Sequence, residues 1–374
     1  MKYFLIAGEA SGDLHASRLM EELKKSDPEA EFRYMGGDLM QAVSEGMLMH
    51  YRETSYMLAD VFLHLGKILR NMRIIKESIL RWQPDVVIPV DYPGFNLRIS
   101  KFAFKKGLRV FYYISPKVWA WNQKRVKKLK RYTHRLFAIL PFEVEFFRKF
   151  GMEVDYFGNP LVDQLESFRQ KFEGAEAWKK SKGWDKKPLV ALLSGSRLKE
   201  IETTLPTMVQ LAKEHGAYQF VVAGAPSIDP DTYKEYLQGT DIQVVYGETY
   251  ALLDSAVAGV INSGTATLEA ALFELPQLVI YKTSKVAYSI AKRLIKVNFI
   301  SLVNLIYGRR LVEEIIQLNL LDQTRKVLDR ILNDESYREG IKQGYRELNL
   351  KLGDPGVARR VSKKMVELLI GYKE

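Results

Sequence analysis

Ile261-Asn-Ser-Gly-Thr-Ala-Thr-Leu-Glu269 is the stretch from which the rest of the chain can be read. An apolar run, Val257 to Ile261, stops at a polar and glycine step, and a helical pattern begins at Thr265, so a strand feeds a helix. Ser263, Gly264 and Thr265 then stand at the helix start. Unpaired backbone N–H groups and the positive dipole end favour an anion there, phosphate above all. Glu269 lies four residues after Thr265, so both side chains leave one face of the helix, and a carboxylate at that place can accept two hydrogen bonds from a ribose diol. The same residues also read as an ordinary Ser/Thr cap followed by a solvated glutamate.

Outward from this stretch the alternation continues. Leu189-Val-Ala-Leu-Leu193 leads into Ser194-Gly-Ser-Arg197, and further apolar runs follow at Phe220 to Ala223, Ile242 to Tyr246 and Leu278 to Tyr281. Arg197 at a strand tip is placed to bridge a diphosphate, with Ser194 and Gly195 beside it. Toward the N-terminus the same rhythm appears in Tyr3 to Ala7, Phe32 to Met35, Asp85 to Val90, Arg109 to Ile114, Arg135 to Leu140 and Val154 to Gly158. Short apolar runs between helical segments predict an α/β fold of two Rossmann-like, doubly wound parallel-sheet halves facing a cleft. The expected bounds are 1–168 and 188–345, joined by a charged linker at 169–187, with a last helix at about 356–374 returning to the first half.

Composition narrows the function. The 374 residues hold no cysteine, which excludes disulfides, thiolate metal sites and cysteine nucleophiles. No apolar run reaches the roughly 18 residues of a spanning helix, and Met1 runs straight into a strand pattern, so a cytoplasmic protein is expected. Lys and Arg number 56 against 45 Asp and Glu, a net charge of +11 that points to acidic partners: nucleotides, phosphorylated lipids, anionic bilayers or nucleic acid.

In the first half, Gly8-Glu-Ala-Ser-Gly-Asp13 follows the first strand as a turn before a helix at Leu14 to Leu23. It matches neither a dinucleotide fingerprint, a P-loop nor a nucleophile elbow. Glu9, Ser11 and Asp13 are polar contacts for a ligand or simply a tight turn. Asp91, where the Asp85 to Val90 strand should emerge, is the candidate general base, the alternative being a capping aspartate. Trp119 and Trp121 in Ser115-Pro-Lys-Val-Trp-Ala-Trp121 suggest a wall for a sugar or lipid, or a hydrophobic plug.

Tyr56 to Trp82 reads as one amphipathic helix. Leu58, Phe62 and Leu65 belong to its apolar set, while Lys67, Arg70, Arg73 and Lys76 repeat every third residue. A core-facing helix and an interfacial helix on an anionic bilayer both fit. Lys124-Arg-Val-Lys-Lys-Leu-Lys-Arg131 is the densest basic run, suited to phosphates of a bilayer or nucleic acid. Asp229-Pro-Asp231 formally resembles a divalent-ion motif but sits between turn signals, and no metal site is expected.

Taken together, Gly8 to Asp13, Asp91 to Asn96, Ser115 to Trp121 with Gln123-Lys-Arg125, Pro141-Phe-Glu143, Gly195 to Arg197, Ser263 to Thr265 with Glu269, and Ser301-Leu-Val-Asn304 resemble the lipid-A-disaccharide synthase family end to end. Asn159-Pro160 departs from the His-Pro of the family pattern. The resemblance implies a GT-B glycosyltransferase without a cofactor. It would join UDP-2,3-diacylglucosamine to 2,3-diacylglucosamine 1-phosphate with inversion, forming a β(1→6) disaccharide and releasing UDP. It implies UDP contacts at Ser194, Gly195, Arg197, Ser263, Gly264, Thr265, Glu269 and Asn304. Asp91 would be the base, and Glu9, Ser11, Asp13, Trp119 and Trp121 would lie on the acceptor side. It also implies a peripheral enzyme on the cytoplasmic face of the inner membrane, touching anionic lipids through Leu58, Phe62, Leu65, Lys67, Arg70 and Arg73. No nucleic-acid partner is expected, and a homodimer is left open. Another UDP-sugar enzyme on the same scaffold, such as an epimerase, is the alternative.

Overall fold

The computed structural model describes residues 1–53, 65–184, 186–284, 288, 297–317 and 319–372, with the side chains of Leu65 and Trp121 outside that description. Two compact units divide the chain, Met1–Asp163 with Gly353–Glu374, and Gln164–Leu352.

The first unit runs β1 (Lys2–Ala7), α1 (Ala10–Ser26), β2 (Glu31–Gly36), α2 (Asp38–Val43), β3 (Met47–His50), α3 (Leu65–Trp82), β4 (Val86–Val90) and α4 (Pro93–Lys105). It continues with β5 (Arg109–Tyr113), α5 (Val118–Trp121), α6 (Val126–Tyr132), β6 (Arg135–Ala138), α7 (Pro141–Arg148) and β7 (Asp155–Tyr156). The strands form one parallel sheet in the order β3-β2-β1-β4-β5-β6-β7. Tyr3 to Ala7 are wholly buried, as a parallel sheet covered on both faces requires. On one face Met72, Ile75 and Ile79 of α3 and Phe95, Ile99 and Ala103 of α4 pack over Phe4, Ile6, Val87 and Val110. Leu97 of α4 joins Val126 and Leu129 of α6 over Tyr112 and Leu136. Val110 and Tyr112 are two apart on β5 and therefore point to the same side, so α3, α4 and α6 share one face of the sheet.

α1 begins at Ala10, four residues before the expected start, with Glu9 extended at its N-cap. Serine, glycine and aspartate read locally as a turn, but docking onto the sheet overrides weak propensities. The final helix, Val357–Gly371, packs on α1, with Ser26 Oγ 3.2 Å from Ser362 Oγ. Its start is capped by Asp163, whose carboxylate accepts the N–H groups of Gly356, Val357 and Ala358 at 2.6, 3.1 and 3.0 Å.

Past α8 (Leu161–Arg169), the second unit contains α9 (Ala175–Lys182), β8 (Leu189–Leu193), α10 (Leu198–Glu214), β9 (Gln219–Gly224), α11 (Pro230–Leu237), β10 (Gln243–Tyr246) and α12 (Thr249–Ser255). Next come β11 (Ala256–Asn262), α13 (Ala266–Leu272), β12 (Gln277–Tyr281), the helix Leu302–Tyr307, β13 (Glu314–Ile316) and the helices Leu320–Asn333 and Glu335–Leu352. The strand order is β10-β9-β8-β11-β12-β13, again all parallel. Within 169–187, where a linker was expected, lies α9. Trp178 and Trp184 pack against the second core, and the Trp178 indole donates to Glu248 Oε2 at 2.5 Å.

Each sheet reverses its strand order once, between β1 and β4 and between β8 and β11. Ligands in open parallel sheets bind beyond the carboxyl ends of strands at such a reversal. The loop after β1 and Asp91 after β4 mark the first reversal; Ser194 to Arg197 and Ser263 to Thr265 mark the second.

Candidate active site

In the second unit the chain brings three of the expected nucleotide segments together. Gly195 has φ +109°, and a Cβ there would stand 2.5 Å from Glu200 Oε2 and 2.9 Å from Asn262 Nδ2, so only glycine lets this loop lie over the end of β11. Glu200 secures the loop by accepting Ser196 N–H at 3.0 Å and pairing with Arg197 Nη1 at 3.2 Å, while Arg197 remains exposed. Ser194 is fully buried, its carbonyl accepting from Thr204 Oγ1 at 3.0 Å. Ser263 donates through Oγ to Ile300 O at 2.9 Å, which ties the second loop to the third segment.

Gly264 and Thr265 are exposed at the start of α13, where no side chain caps the helix and the Thr267 and Leu268 N–H groups bond back to the Gly264 and Thr265 carbonyls at 3.3 and 2.9 Å. Glu269 follows one turn on. Burial of its carboxyl raises its pKa, opposed by the Tyr250 hydroxyl, which donates to Oε1 at 3.2 Å. A carboxylate in that setting gains from hydroxyl donors.

Asn304 is fully buried, and its amide is occupied internally. Oδ1 accepts from Leu311 and Val312 N–H at 2.7 and 3.0 Å, and Nδ2 donates to Val312 O and Glu314 Oε1, both at 2.9 Å. Its side chain shapes the loop after the helix Leu302–Tyr307. Glu314, which sequence reading missed, is the hub: it also accepts Ile300 N–H, Ser301 N–H and Ser301 Oγ at 2.9, 2.9 and 2.7 Å. The second of two adjacent acids, opening a three-residue strand, gave no periodic signal.

In the first unit Asp91 stands at the reversal. Asp91 and Tyr92 both lie in the left-handed region, φ +42° and +46°, a strained pair held by its surroundings. Asp91 N–H donates to Tyr113 O at 3.1 Å, and its carbonyl accepts from Tyr112 Oη at 2.5 Å and Asn96 Nδ2 at 2.9 Å. Asn96 Nδ2 also reaches Ile6 O and Val90 O at 3.2 and 3.1 Å, joining the ends of β1 and β4. Gly8 leaves room for the Tyr92 ring, whose Cδ1 would stand 2.2 Å from a Cβ. Burial pushes the Asp91 carboxyl up to about 6. Glu9 adds to the rise, whereas Lys117 and the Tyr92 N–H oppose it. The result is a carboxylate poised to take a proton near neutral pH.

The remaining acceptor-side residues divide. Glu9 and Ser11 are exposed beside Asp91's strand reversal. Asp13 is buried, and its carboxylate accepts Gly37, Leu39 and Met40 N–H at 2.7, 3.1 and 3.2 Å, so it caps α2. Trp119 is buried edge-on against Phe142 at 5.0 Å, and its indole donates to Glu143 Oε1 at 3.1 Å. Trp121's side chain lies outside the described residues, as do Leu58, Phe62 and the side chain of Leu65. Lys67, Arg70 and Arg73 are exposed on α3, while Met72, Ile75 and Ile79 of the same helix face the core. Asp229 caps α11 by accepting Asp231 N–H at 2.9 Å. Asn159, where the resemblance leads one to expect His, bonds Ile139 O and Leu161 N–H at 2.9 and 3.0 Å. A cavity of about 520 Å³ bordered by Pro188, Ala256 and Pro276 lies at the amino ends of β8, β11 and β12, the edge opposite the loops above.

Two parallel sheets, each reversing its strand order once and carrying polar loops there, define the GT-B fold. The chain covers 99% and 100%, respectively, of itself and of UDP-GlcNAc 2-epimerase from Neisseria meningitidis bound to UDP-GlcNAc (TM-score 0.65, 14% identity), and 99% and 98% for CalG4, the calicheamicin glycosyltransferase (TM-score 0.61, 15%). These likenesses establish the fold. The family model for lipid-A-disaccharide synthetase matches residues 3–365. The lipid-A-disaccharide synthases of Myxococcus xanthus and Geobacter metallireducens are 37% and 34% identical, in each case over 98% of this chain and 97% of the relative. The chain belongs to the lipid-A-disaccharide synthetase family, and it is a glycosyltransferase of lipid A disaccharide synthesis acting on UDP-sugar and lipid substrates. Among the described residues no helix is long and apolar enough to cross a membrane.

Proposed function

We propose that the enzyme transfers the 2,3-diacylglucosaminyl group of UDP-2,3-diacylglucosamine to the 6-hydroxyl of 2,3-diacylglucosamine 1-phosphate with inversion. Asp91 takes the hydroxyl proton as the new β(1→6) O–C bond forms and the bond from C1 to the UDP oxygen breaks. The second unit holds the donor: backbone N–H groups at Gly264 and Thr265 and the Arg197 guanidinium meet the diphosphate, and Glu269 accepts from the ribose hydroxyls. Ser194, Gly195, Ser263 and Asn304 shape the loops that carry these groups. The first unit takes the acceptor beside Glu9 and Ser11, with Asp13 and Trp119 fixing the walls from behind. Lys67, Arg70 and Arg73 of α3 meet anionic lipids on the cytoplasmic face of the inner membrane, from which both acylated substrates are drawn.

The observation that carries this reading is the Asp91 carboxyl, held at the strand reversal with its pKa pushed up to about 6. Asp91→Asn is expected to bind UDP as the parent does and to lose at least about a thousandfold in turnover. Unchanged turnover would mean that another group is the base. Arg197→Ala and Glu269→Ala are expected to weaken UDP itself by about tenfold or more. Release of UDP from the donor at full rate without acceptor would move the chain to a hydrolase or epimerase reading.

A further inference from the structure

Glu269 does not stand alone in the first turn of α13. The Tyr250 hydroxyl, from the first turn of α12, lies 3.2 Å from its Oε1 and 3.1 Å from Oε1 of Gln164 on α8. Among the described residues Tyr250 is the one hydrogen-bond donor to this carboxylate, and Glu269 remains partly exposed, so Oε2 stays open to a ligand. The tyrosine ring has little room to turn. It meets Phe168 of α8 edge-on at 5.6 Å and 89°, and Phe273, just past α13, at 5.3 Å and 62°. Phe168 and Phe273 themselves meet at 5.7 Å, which closes the cluster around it. Aromatic packing from two helices thus fixes the hydroxyl on which Glu269 leans.

We propose that Gln164 and Tyr250 are positioning residues of the UDP site: a relay from Gln164 to Tyr250 to Glu269 holds the carboxylate in one rotamer, leaves Oε2 for the ribose hydroxyls, and so makes the enzyme selective for ribonucleotides. A hydroxyl carries one proton, and an ionised carboxylate takes it in preference to an amide oxygen. With its amide turned end for end, Gln164 gives Nε2 to the Tyr250 oxygen, and no two acceptors face each other. A glutamate side chain has several rotatable bonds, and fixing them before the nucleotide arrives removes an ordering cost from binding. A site built to bond a hydroxyl rejects the analogue that lacks it, because its own polar group is then left unpaired. Loosening Glu269 therefore costs the ribonucleotide more than the deoxynucleotide. The inference rests on the reading in which Glu269 accepts from the ribose.

The test is calorimetric titration of the full chain with UDP, 2′-deoxy-UDP and 3′-deoxy-UDP, for the parent, Tyr250→Phe, Gln164→Leu and Glu269→Ala. The parent is expected to prefer UDP at least about tenfold over the weaker-binding deoxy analogue. Tyr250→Phe keeps the ring and should weaken UDP about tenfold but the deoxy analogues no more than about twofold. Gln164→Leu, which leaves the tyrosine in place, should narrow the preference about threefold. With the acylated UDP-sugar, Tyr250→Phe should raise KM and leave kcat within about twofold, as loss of a ground-state contact requires. A merely structural role would weaken all three nucleotides alike, and that outcome overturns the proposal. So does the parental preference in either variant while Glu269→Ala weakens UDP, a result that leaves the UDP site standing. Parental UDP binding by Glu269→Ala would remove the ribose contact itself, and the relay with it.

Discussion

Asp91 holds a carboxyl whose pKa rises from 3.8 to about 6, chiefly through burial, and that shift acts on stability as well as on rate. The folded state binds this proton more tightly than the unfolded chain. The stabilising contribution is therefore complete below about pH 4 and lost as pH climbs through about 6. At pH 7 the ionised group opposes folding by roughly 3 kcal/mol. Asparagine removes the charge and tolerates the left-handed backbone at φ +42°. Asp91→Asn should therefore be about 1–3 kcal/mol more stable than the parent at pH 7 in urea unfolding, with the gap closing below pH 4. A less stable variant at pH 7 would contradict the buried-carboxylate account. Turnover of the parent should fall on acidification through about pH 6 as the base takes up its proton. Gly195 gives a second test at this scale. Gly195→Ala puts a Cβ 2.5 Å from Glu200 Oε2 at φ +109°, and is expected to cost about 1–3 kcal/mol and to weaken UDP at least tenfold by calorimetric titration. Parental UDP affinity would show that this loop does not shape the donor site.

Between β6 and α7 the decisive contact is Glu143, which accepts the Trp119 indole at 3.1 Å and the Ile139 and Leu140 N–H groups at 3.2 and 3.1 Å. Burial raises its carboxyl to about 7 against the opposing pull of these donors. Glu143→Gln sets an amide N–H against donors, and about 1–3 kcal/mol of stability should be lost in thermal unfolding with UDP affinity unchanged. A matching loss of UDP affinity would mean the plug acts beyond its own unit. Elements of this kind explain what the sequence made legible and what it hid. Val86 to Val90, Leu189 to Leu193 and Ala258 to Ile261 announce buried parallel strands because they carry no polar side chain, and their carboxyl ends locate Asp91, Arg197 and Ser263. Asn96, Glu143 and Glu314 gave no comparable signal: Asn96 and Glu314 bond backbone distant in sequence, and Glu143, beside its near partners Ile139 and Leu140, takes the indole of the distant Trp119. Asp13 and Asn304 were found as residues, yet their side chains brace backbone, a distinction that only their hydrogen-bond partners reveal. α9 escaped because charge counts outweighed Trp178 and Trp184, whose burial depends on the second core.

At the scale of the whole molecule, the division into Met1–Asp163 with Gly353–Glu374 and Gln164–Leu352 separates the two halves of the proposed chemistry. Every group assigned to UDP belongs to the second unit, while Asp91 and the basic helices belong to the first. Ligand binding stabilises what it binds by mass action, about 2.7 kcal/mol at one hundred times the dissociation constant. Saturation with UDP alone should therefore slow amide exchange in β8 and β11, whose ends carry the donor loops, by about a hundredfold. β1 and β4, with their own core, should stay within about threefold of the free protein. Hydrogen exchange followed by mass spectrometry on the full chain reads both sheets at once. Protection confined to the second sheet would leave acceptor binding to report on the first. Equal protection of both would mean that the units open as one cooperative body, and UDP would then stabilise the Asp91 site before any acceptor arrives.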